Sequence, residues 1–228
     1  MPYAHHFFTT ASLRLKERPE EWQLIAAHAG VEPGNLRLLR QVHGRAVVSV
    51  PAATNGEWHP PEADASVTNN RHVALVVQVA DCAPILLADT SRHAVAAVHA
   101  GWRSTMQRIV VTVVERMHRE FGTDPADLVA AIGPSLGECC GEMGEEVVDA
   151  FRTAGHDERD ITRWFSRSPG ERPHFNLSDA NRDQLVIAGV HQDAIHIAGL
   201  CTRTHQDVFH SYRAAGPAAG RMAGLIRA

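Results

Sequence analysis

The feature that most restricts this chain is a set of short β-prone runs that are apolar at consecutive positions, such as VALVV at 73–77. A strand with one wet face alternates apolar and polar residues, so a run that is apolar on both faces has to be covered on both sides. Runs rich in β-branched and aliphatic residues recur at 36–39, 46–50, 73–79, 85–88, 94–98, 128–132 and 194–197. Between them, Met106, Ile109, Val110, Val113, Val114 and Met117 fall at three- and four-residue spacing. That spacing predicts a helix over 104–121 with one core face, stopped by Gly122 and Pro125. Shorter helices are expected over 19–29, 144–154 and 178–188, each followed by a glycine (Gly30, Gly155 or Gly189) that can take the left-handed C-terminal conformation. Strands outnumber helices, the two do not alternate regularly, and no GxGxxG follows a strand. The expected fold is therefore α+β, a layered α/β sandwich with mixed β-sheets, and a doubly wound dinucleotide fold has no support.

The 228 residues, 44% of them apolar, suffice for one full core. No repeat or low-complexity tract divides them, and the Pro-rich stretch at 51–61 has the length of a surface loop. One domain over 1–228 is expected. No apolar run approaches the ~18 residues of a membrane span, and the first residues lack a secretory signal's basic end and apolar stretch, so a soluble cytoplasmic protein without a membrane partner is expected. The 22 basic and 26 acidic residues are well mixed, with a net charge of −4, which gives no footprint for binding nucleic acid. Four cysteines, two of them adjacent, make a poor disulfide scaffold and read as reduced thiols. Histidine is the outlier with 15 copies, most of them in polar surroundings that suit ordinary surface residues.

Four segments place chemically capable residues at the ends of apolar strands: RQVHG at 40–44, ADCAP at 80–84, VHAGWR at 98–103 and AIGPS at 131–135. Rigid strands hold such groups more accurately than loops do. Zinc accepts a thiolate with two imidazoles and keeps a fourth position open for chemistry, so His43, Cys82 and His99 are a candidate ligand set. Spacing alone leaves the plainer alternatives standing, Cys82 as a small buried hydrophobe and His99 as a satisfied core histidine.

Together with ADASVTN at 63–69, ADCAPILLAD at 80–89, AVHAGWRST at 97–105, IGPSLGECC at 132–140, CTRTH at 201–205 and FHSYRAAGPAAGRMAGLI at 209–226, these segments resemble the laccase-domain family. That family is also called the multicopper polyphenol oxidase or YfiH-like family, and in bacteria it includes the peptidoglycan editing factor. The resemblance spans nearly the whole chain in the family's order. It implies zinc on His43, Cys82 and His99, and a purine nucleoside phosphorylase that also deaminates adenosine and splits methylthioadenosine. Two positions depart from the family's pattern: Gly141 and His210 stand where aromatic residues are usual. They are expected to alter the wall that stacks on a base. True multicopper oxidation is not expected, because a trinuclear cluster draws on several His-x-His pairs and this chain has none. Three good ligands make one mononuclear site, in which copper is an adventitious substitute for zinc.

Phosphorolysis sets a phosphate dianion against a cation-like ribosyl centre, and guanidinium forks match phosphate oxygens. Arg40, Arg45, Arg103 and Arg213 are the candidates, Arg103 foremost because it opens a helix near His99. Ser135 offers a hydroxyl in a tight turn. For deamination, zinc lowers the pKa of water, and Asp81 or His205 is the candidate proton carrier; the HxE and PCxxC zinc deaminase signature is absent. Two other readings stay open at this stage. Cys82 can be a thiolate nucleophile of a hydrolase that edits peptidoglycan precursors. Alternatively, the zinc can be structural in a non-catalytic interaction protein, closed by Cys139 or Cys140 as fourth ligand.

Overall fold

The computed structural model describes residues 1, 4–15, 18–51 and 58–228. Its strands are β1 (His5–Phe8), β2 (Leu36–Arg37), β3 (Val47–Ser49), β4 (Ala65–Thr68), β5 (Ala74–Val79), β6 (Ala83–Asp89), β7 (Val95–Ala100), β8 (Leu128–Ile132), β9 (Phe165–Ser166), β10 (His174–Phe175), β11 (Ile195–Ile197) and β12 (Met222–Arg227). Its helices are α1 (Pro19–Ala29), α2 (Trp102–Met106), α3 (Ile109–Phe121), α4 (Glu145–Thr153), α5 (Glu158–Trp164), α6 (Leu177–Ile187) and α7 (Tyr212–Ala215). One sheet runs β11-β8-β6-β7-β4-β3 and a second runs β1-β12-β5-β2, with β9 and β10 forming a short ribbon. The pairs β11–β8, β3–β4 and β2–β5 are parallel and the other pairs antiparallel, so both large sheets are mixed.

The doubly apolar runs explain the stacking. Ile85, Leu87, Ala96 and Val98 point to one side of the six-stranded sheet, into a core shared with Val110, Val113 and Met117 of α3. Their neighbours Leu86, Ala88, Val95 and Ala97 point to the other side, onto Leu75 and Val77 of β5. The opposite face of β5, through Ala74 and Val76, packs on Ile25, Ala26 and Ala29 of α1. The layers are therefore a helix, the four-stranded sheet, the six-stranded sheet and a helical layer, which is the expected layered sandwich. In the helical layer, Phe151, Trp164, Phe165 and Phe175 form an aromatic cluster, with Phe165 and Phe175 stacked at 4.6 Å between ring centroids. That packing carries β10 to the edge of the site described below.

Gly30, Gly122, Gly155 and Gly189 all take positive φ just beyond helices, as expected. The continuous helix expected over 104–121 is instead two helices, broken at Arg108, whose φ is +59°. The break is held from outside. The Arg108 guanidinium donates to the carbonyls of Ala154 and Gly155 at 2.9 and 2.8 Å, and the His156 ring nitrogen donates to the Met106 carbonyl at 2.7 Å. Apolar spacing runs on through this break because both helices turn the same face to the core, so the pattern does not reveal it. β1, β4, β9, β10, β12, α5 and α7 are additions to the expected elements, and β2 and β3 are shorter than the runs that contain them. Of the loop expected at 51–61, residues 52–57 lie outside the described residues.

Because β6 is covered on both faces, Leu86→Ala and Leu87→Ala should each cost about 2–5 kcal/mol, although they point in opposite directions. Urea unfolding of the two variants checks this. A near-zero loss in either would mean that one face of β6 is not packed.

Candidate metal centre

His43 lies in the turn that follows Arg40, Cys82 in the connection from β5 to β6, and His99 within β7. The side-chain ligand atoms of these three residues lie within 4.8 Å of one another. The Cys82 Sγ to His43 Nε2 separation is 3.9 Å, and the two imidazole rings stand at 78° with centroids 4.8 Å apart. A sulfur and a nitrogen on one tetrahedral zinc are separated by about 3.6 Å, so the donor set fits with a shift of a few tenths of an ångström. Exposure rises from buried His99 through Cys82 to exposed His43, which leaves the outer side of the triad open.

Asp64, fully buried in the turn into β4, builds this geometry. One carboxylate oxygen accepts hydrogen bonds from His99 Nδ1 and the His43 amide, both at 2.8 Å; the other accepts from the amides of Gly44 at 2.7 Å and Val42 at 3.3 Å. His99 is thereby turned so that Nε2 faces Cys82, the second-layer carboxylate arrangement that orients metal-binding imidazoles. His43 itself has φ +59°, and Asp81, immediately before Cys82, has φ +83°. Such backbone is costly for residues with a Cβ and persists where its surroundings hold it. Asp64 holds His43, while the Thr202 hydroxyl at 2.6 Å and the Arg213 amide donate to the two carboxylate oxygens of Asp81. A Cβ at Gly101 would lie 3.0 Å from the Cys82 sulfur and 3.2 Å from the His43 ring, so glycine is what lets the strand end pass this close.

Without a metal the electrostatics favour a Cys82 thiolate beside a protonated His99, so an ion binding here finds the thiolate ready and displaces the His99 proton. Burial works against a thiolate at Cys82, but the positive charge of His99 and hydrogen bonds from His43 and His99 bring its pKa down to about 6. Burial likewise works against a charged His99, yet the Cys82 charge and Asp64 raise it to about 9. Burial pushes the Asp64 carboxyl up, and its hydrogen bonds from His99, Gly44 and His43 outweigh that and hold it below the usual carboxylate range.

The triad opens onto a cavity of about 600 Å³ lined by Leu39, Gln41, His43, Gln78, Ala80, Asp81, Cys82, His99, Gly101, Trp102, Leu136, Met143, Phe175, Leu177, Tyr212, Arg213 and Arg221. Asp81 and Arg213 are thus brought to the triad, and the remaining candidates are not. Arg40 pairs with Glu62 on the surface at 2.7 Å, Arg45 is exposed, and Arg103 is exposed with its guanidinium 4.2 Å from the centre of the Trp102 ring. Ser135 is buried against the Ser178 hydroxyl at 3.3 Å, and exposed His205 bonds to Thr204 and the Cys201 carbonyl. Cys139 and Cys140 group with Cys201 and not with the triad, so no described residue supplies a fourth protein ligand from that pair. Asp64 and Arg221 are the residues that reading the sequence misses. Asp64 had a signal, a carboxylate set in the otherwise uncharged ADASVTN segment; Arg221 had none.

The two departures from the family pattern also land away from the cavity wall. At Gly141 a Cβ would meet the Phe175 carbonyl at 2.5 Å, and Phe175, not residue 141, presents the aromatic face. The His210 ring lies against Gly220 and hydrogen-bonds to the Leu13 carbonyl at 2.9 Å.

Residues 17–228 match the model of the family described as multi-copper polyphenol oxidoreductase laccase. The chain belongs to this family. It is 40% identical over 159 residues to a protein named purine nucleoside phosphorylase from Bacteroides thetaiotaomicron; the match covers 70% of this chain and 58% of that protein's length. It is 37% identical to adenosine deaminase RL5 from an unknown prokaryotic organism, over 89% of this chain and 79% of RL5. In fold it is similar to the crystal structure of the Bacillus licheniformis hypothetical protein YfiH, with a TM-score of 0.89 and 24% identity, covering 99% of this chain and 93% of that one. Among the described residues, the metal-capable groupings in this family member are the His43, Cys82, His99 triad and the three-cysteine group.

Two outcomes are expected of the triad. In metal-free protein, iodoacetamide should alkylate Cys82 with a rate that rises through about pH 6, as the thiolate forms. Zinc-loaded protein should be protected, whereas equal alkylation with and without metal would mark Cys82 as a nucleophile and not a ligand. Asp64→Asn should weaken metal binding by roughly 10–100-fold in a competition assay with a chromophoric chelator.

Proposed function

We propose that this chain is a zinc-dependent purine nucleoside phosphorylase of the cytoplasm, acting on adenosine, inosine, guanosine and methylthioadenosine, and that it also deaminates adenosine. The observation that carries this reading is the open side of the His43, Cys82, His99 triad, which faces a cavity that combines aromatic walls with two arginines. The names of the relatives, purine nucleoside phosphorylase and adenosine deaminase, support the same chemistry. The four cysteines are free thiols, in keeping with a reducing compartment, and no helix among the described residues is long and apolar enough to cross a membrane.

A thiolate with two imidazoles is a donor set that zinc prefers, and zinc held there supplies Lewis acidity to a substrate oxygen. The protein's own residues do the rest. Trp102, Phe175 and Tyr212 offer flat apolar faces to the purine and exclude water from it. Gln78 lines the cavity with an amide suited to the polar edge of a base, while the Gln41 amide is already engaged, through both its oxygen and its nitrogen, with the Gln78 backbone. Arg213 and Arg221 receive phosphate. Asp81 accepts from the Arg213 amide, and in this reading its part is to position that arginine. In the reaction, a phosphate oxygen forms a bond to C1′ of the ribose as the bond from C1′ to the base nitrogen breaks. The purine departs with that electron pair and takes up a proton.

Zinc-loaded protein incubated with adenosine and phosphate should release adenine and ribose 1-phosphate, and without phosphate should give only inosine, as read by chromatography. His43→Ala, Cys82→Ala and His99→Ala should abolish both reactions. Arg221→Gln should raise the KM for phosphate about ten- to a hundredfold, the loss of one charge-assisted hydrogen bond, with a smaller effect on kcat. No turnover of any nucleoside by folded, metal-replete protein would overturn the reading and direct attention to cell-wall precursors.

A further inference from the structure

Behind the cavity wall, a second group of chemically soft side chains converges that the nucleoside reaction does not use. Cys139 and Cys140 lie in a short 3-10 turn (Glu138–Cys140), and Cys201 is brought to them from 61 positions beyond Cys140 by a β-bridge between Ser135 and Cys201. The three sulfurs lie within 4.8 Å of one another, with Cys139 and Cys140 3.8 Å apart. That is nearly twice the ~2.05 Å of a disulfide. It is close to the separation of about 4.0 Å between two sulfurs bound to one trigonal metal ion at the ~2.3 Å typical of thiolate ligands.

The surroundings suit anionic sulfur at Cys201, whereas burial and the neighbouring Cys201 and Cys140 push the Cys139 thiol up to about 12, so its proton leaves only as a metal ion takes its place. A Cβ on Gly137 would lie 3.0 Å from Cys201 Cβ and 3.5 Å from both the Cys139 and Cys201 sulfurs, so a glycine clears the point where the thiols meet. Burial raises the Cys201 pKa, but the amides of Gly137, Thr204 and Arg203 and the Thr204 hydroxyl aim at its sulfur and bring it down to about 7. The Arg213 guanidinium donates to the Cys140 carbonyl at 3.4 Å, which ties this turn to the cavity wall. Cys140, Cys201 and Leu136 form one small buried cluster, which shields the site on its inner side, while Cys139 is exposed and gives access from solvent.

We propose that Cys139, Cys140 and Cys201 form a second, all-sulfur site that binds one Cu(I) ion in three-coordination. Thiolates select soft d10 ions, and three sulfurs at trigonal spacing suit Cu(I) without a further ligand, whereas zinc here would have to complete its tetrahedron with water. Among the described residues no further histidine, cysteine or carboxylate joins the group. Three metal–sulfur bonds form on binding, the thiol protons pass to solvent, and no electron is transferred. Leu136 and Arg213 belong to both this cluster's surroundings and the cavity wall, so an ion here would fix that wall from behind.

The test is an anaerobic titration of reduced Cys82→Ser protein with Cu(I), in competition with a chromophoric Cu(I) chelator; this variant removes the first site's thiolate. One equivalent should be retained, with a sulfur-only first shell in X-ray absorption. A further Cys201→Ser or Cys140→Ser change should weaken retention at least tenfold. In wild-type protein, which needs no substitution to fold, Cu(I) should suppress iodoacetamide labelling of exposed Cys139, and adding excess chelator should restore it. Failure of the Cys82→Ser protein to retain Cu(I), unchanged retention on loss of Cys201, or unchanged wild-type labelling would overturn the proposal. So would conversion of two of these thiols to a disulfide in air by a protein that retains no Cu(I).

Discussion

The buried Asp64 carboxylate is the contact on which the site depends. An ionised group with no exposure is tolerable only if its lone pairs are filled, and here His99 and three consecutive amides at positions 42–44 fill them. The same residue's carbonyl accepts from the His99 amide at 2.7 Å, so Asp64 fixes both the backbone and the ring of His99. One side chain therefore joins the His43 turn to the central strand β7. The spacing of the metal-capable atoms follows from two pinned turns, at His43 and at Asp81–Cys82, set against a strand that carries His99.

What the sequence disclosed and what it hid divide along a physical line. Features that depend on a residue and its near neighbours were legible: doubly apolar runs demanded covering layers, glycines ended helices, and reactive residues at strand ends marked the triad. Features made by distant partners were not. The break at Arg108 exists because carbonyls beyond α4 and the ring of His156 hold its two sides, and apolar spacing says nothing about either. β1 is a four-residue run with two histidines, and it becomes a strand only because β12 pairs with it. Among the arginines, motif position favoured Arg103, but its guanidinium lies over Trp102, and it is Arg213 and Arg221, reached through the C-terminal segment, that line the cavity.

Gly141 illustrates how a change in family pattern can leave a wall in place. Reading the position alone points to a lost aromatic face. In the fold, the absent Cβ lets the backbone of β10 come close, with the Phe175 amide donating to the Gly141 carbonyl at 2.9 Å, and Phe175 supplies the face. The stacked pair of Phe165 and Phe175 ties this ring into the helical layer, so its orientation is set by the core and not by the solvent boundary.

The position of β12 has a consequence for how the chain assembles during synthesis. It lies between β1 and β5, pairing His5 with Arg227 and Val79 with Met222. Until the ribosome has released residues 222–227, β1 has no neighbour in its sheet and one side of β5 stays bare. Loop closure over such a separation is slow, and a bare strand edge recruits other strands. Tyr212 and Arg221 closely precede β12 in the chain, so the cavity closes as the vulnerable edge is covered. A nascent chain of this protein has its ligand residues made once His99 is in place and waits for Arg221 before its cavity can close.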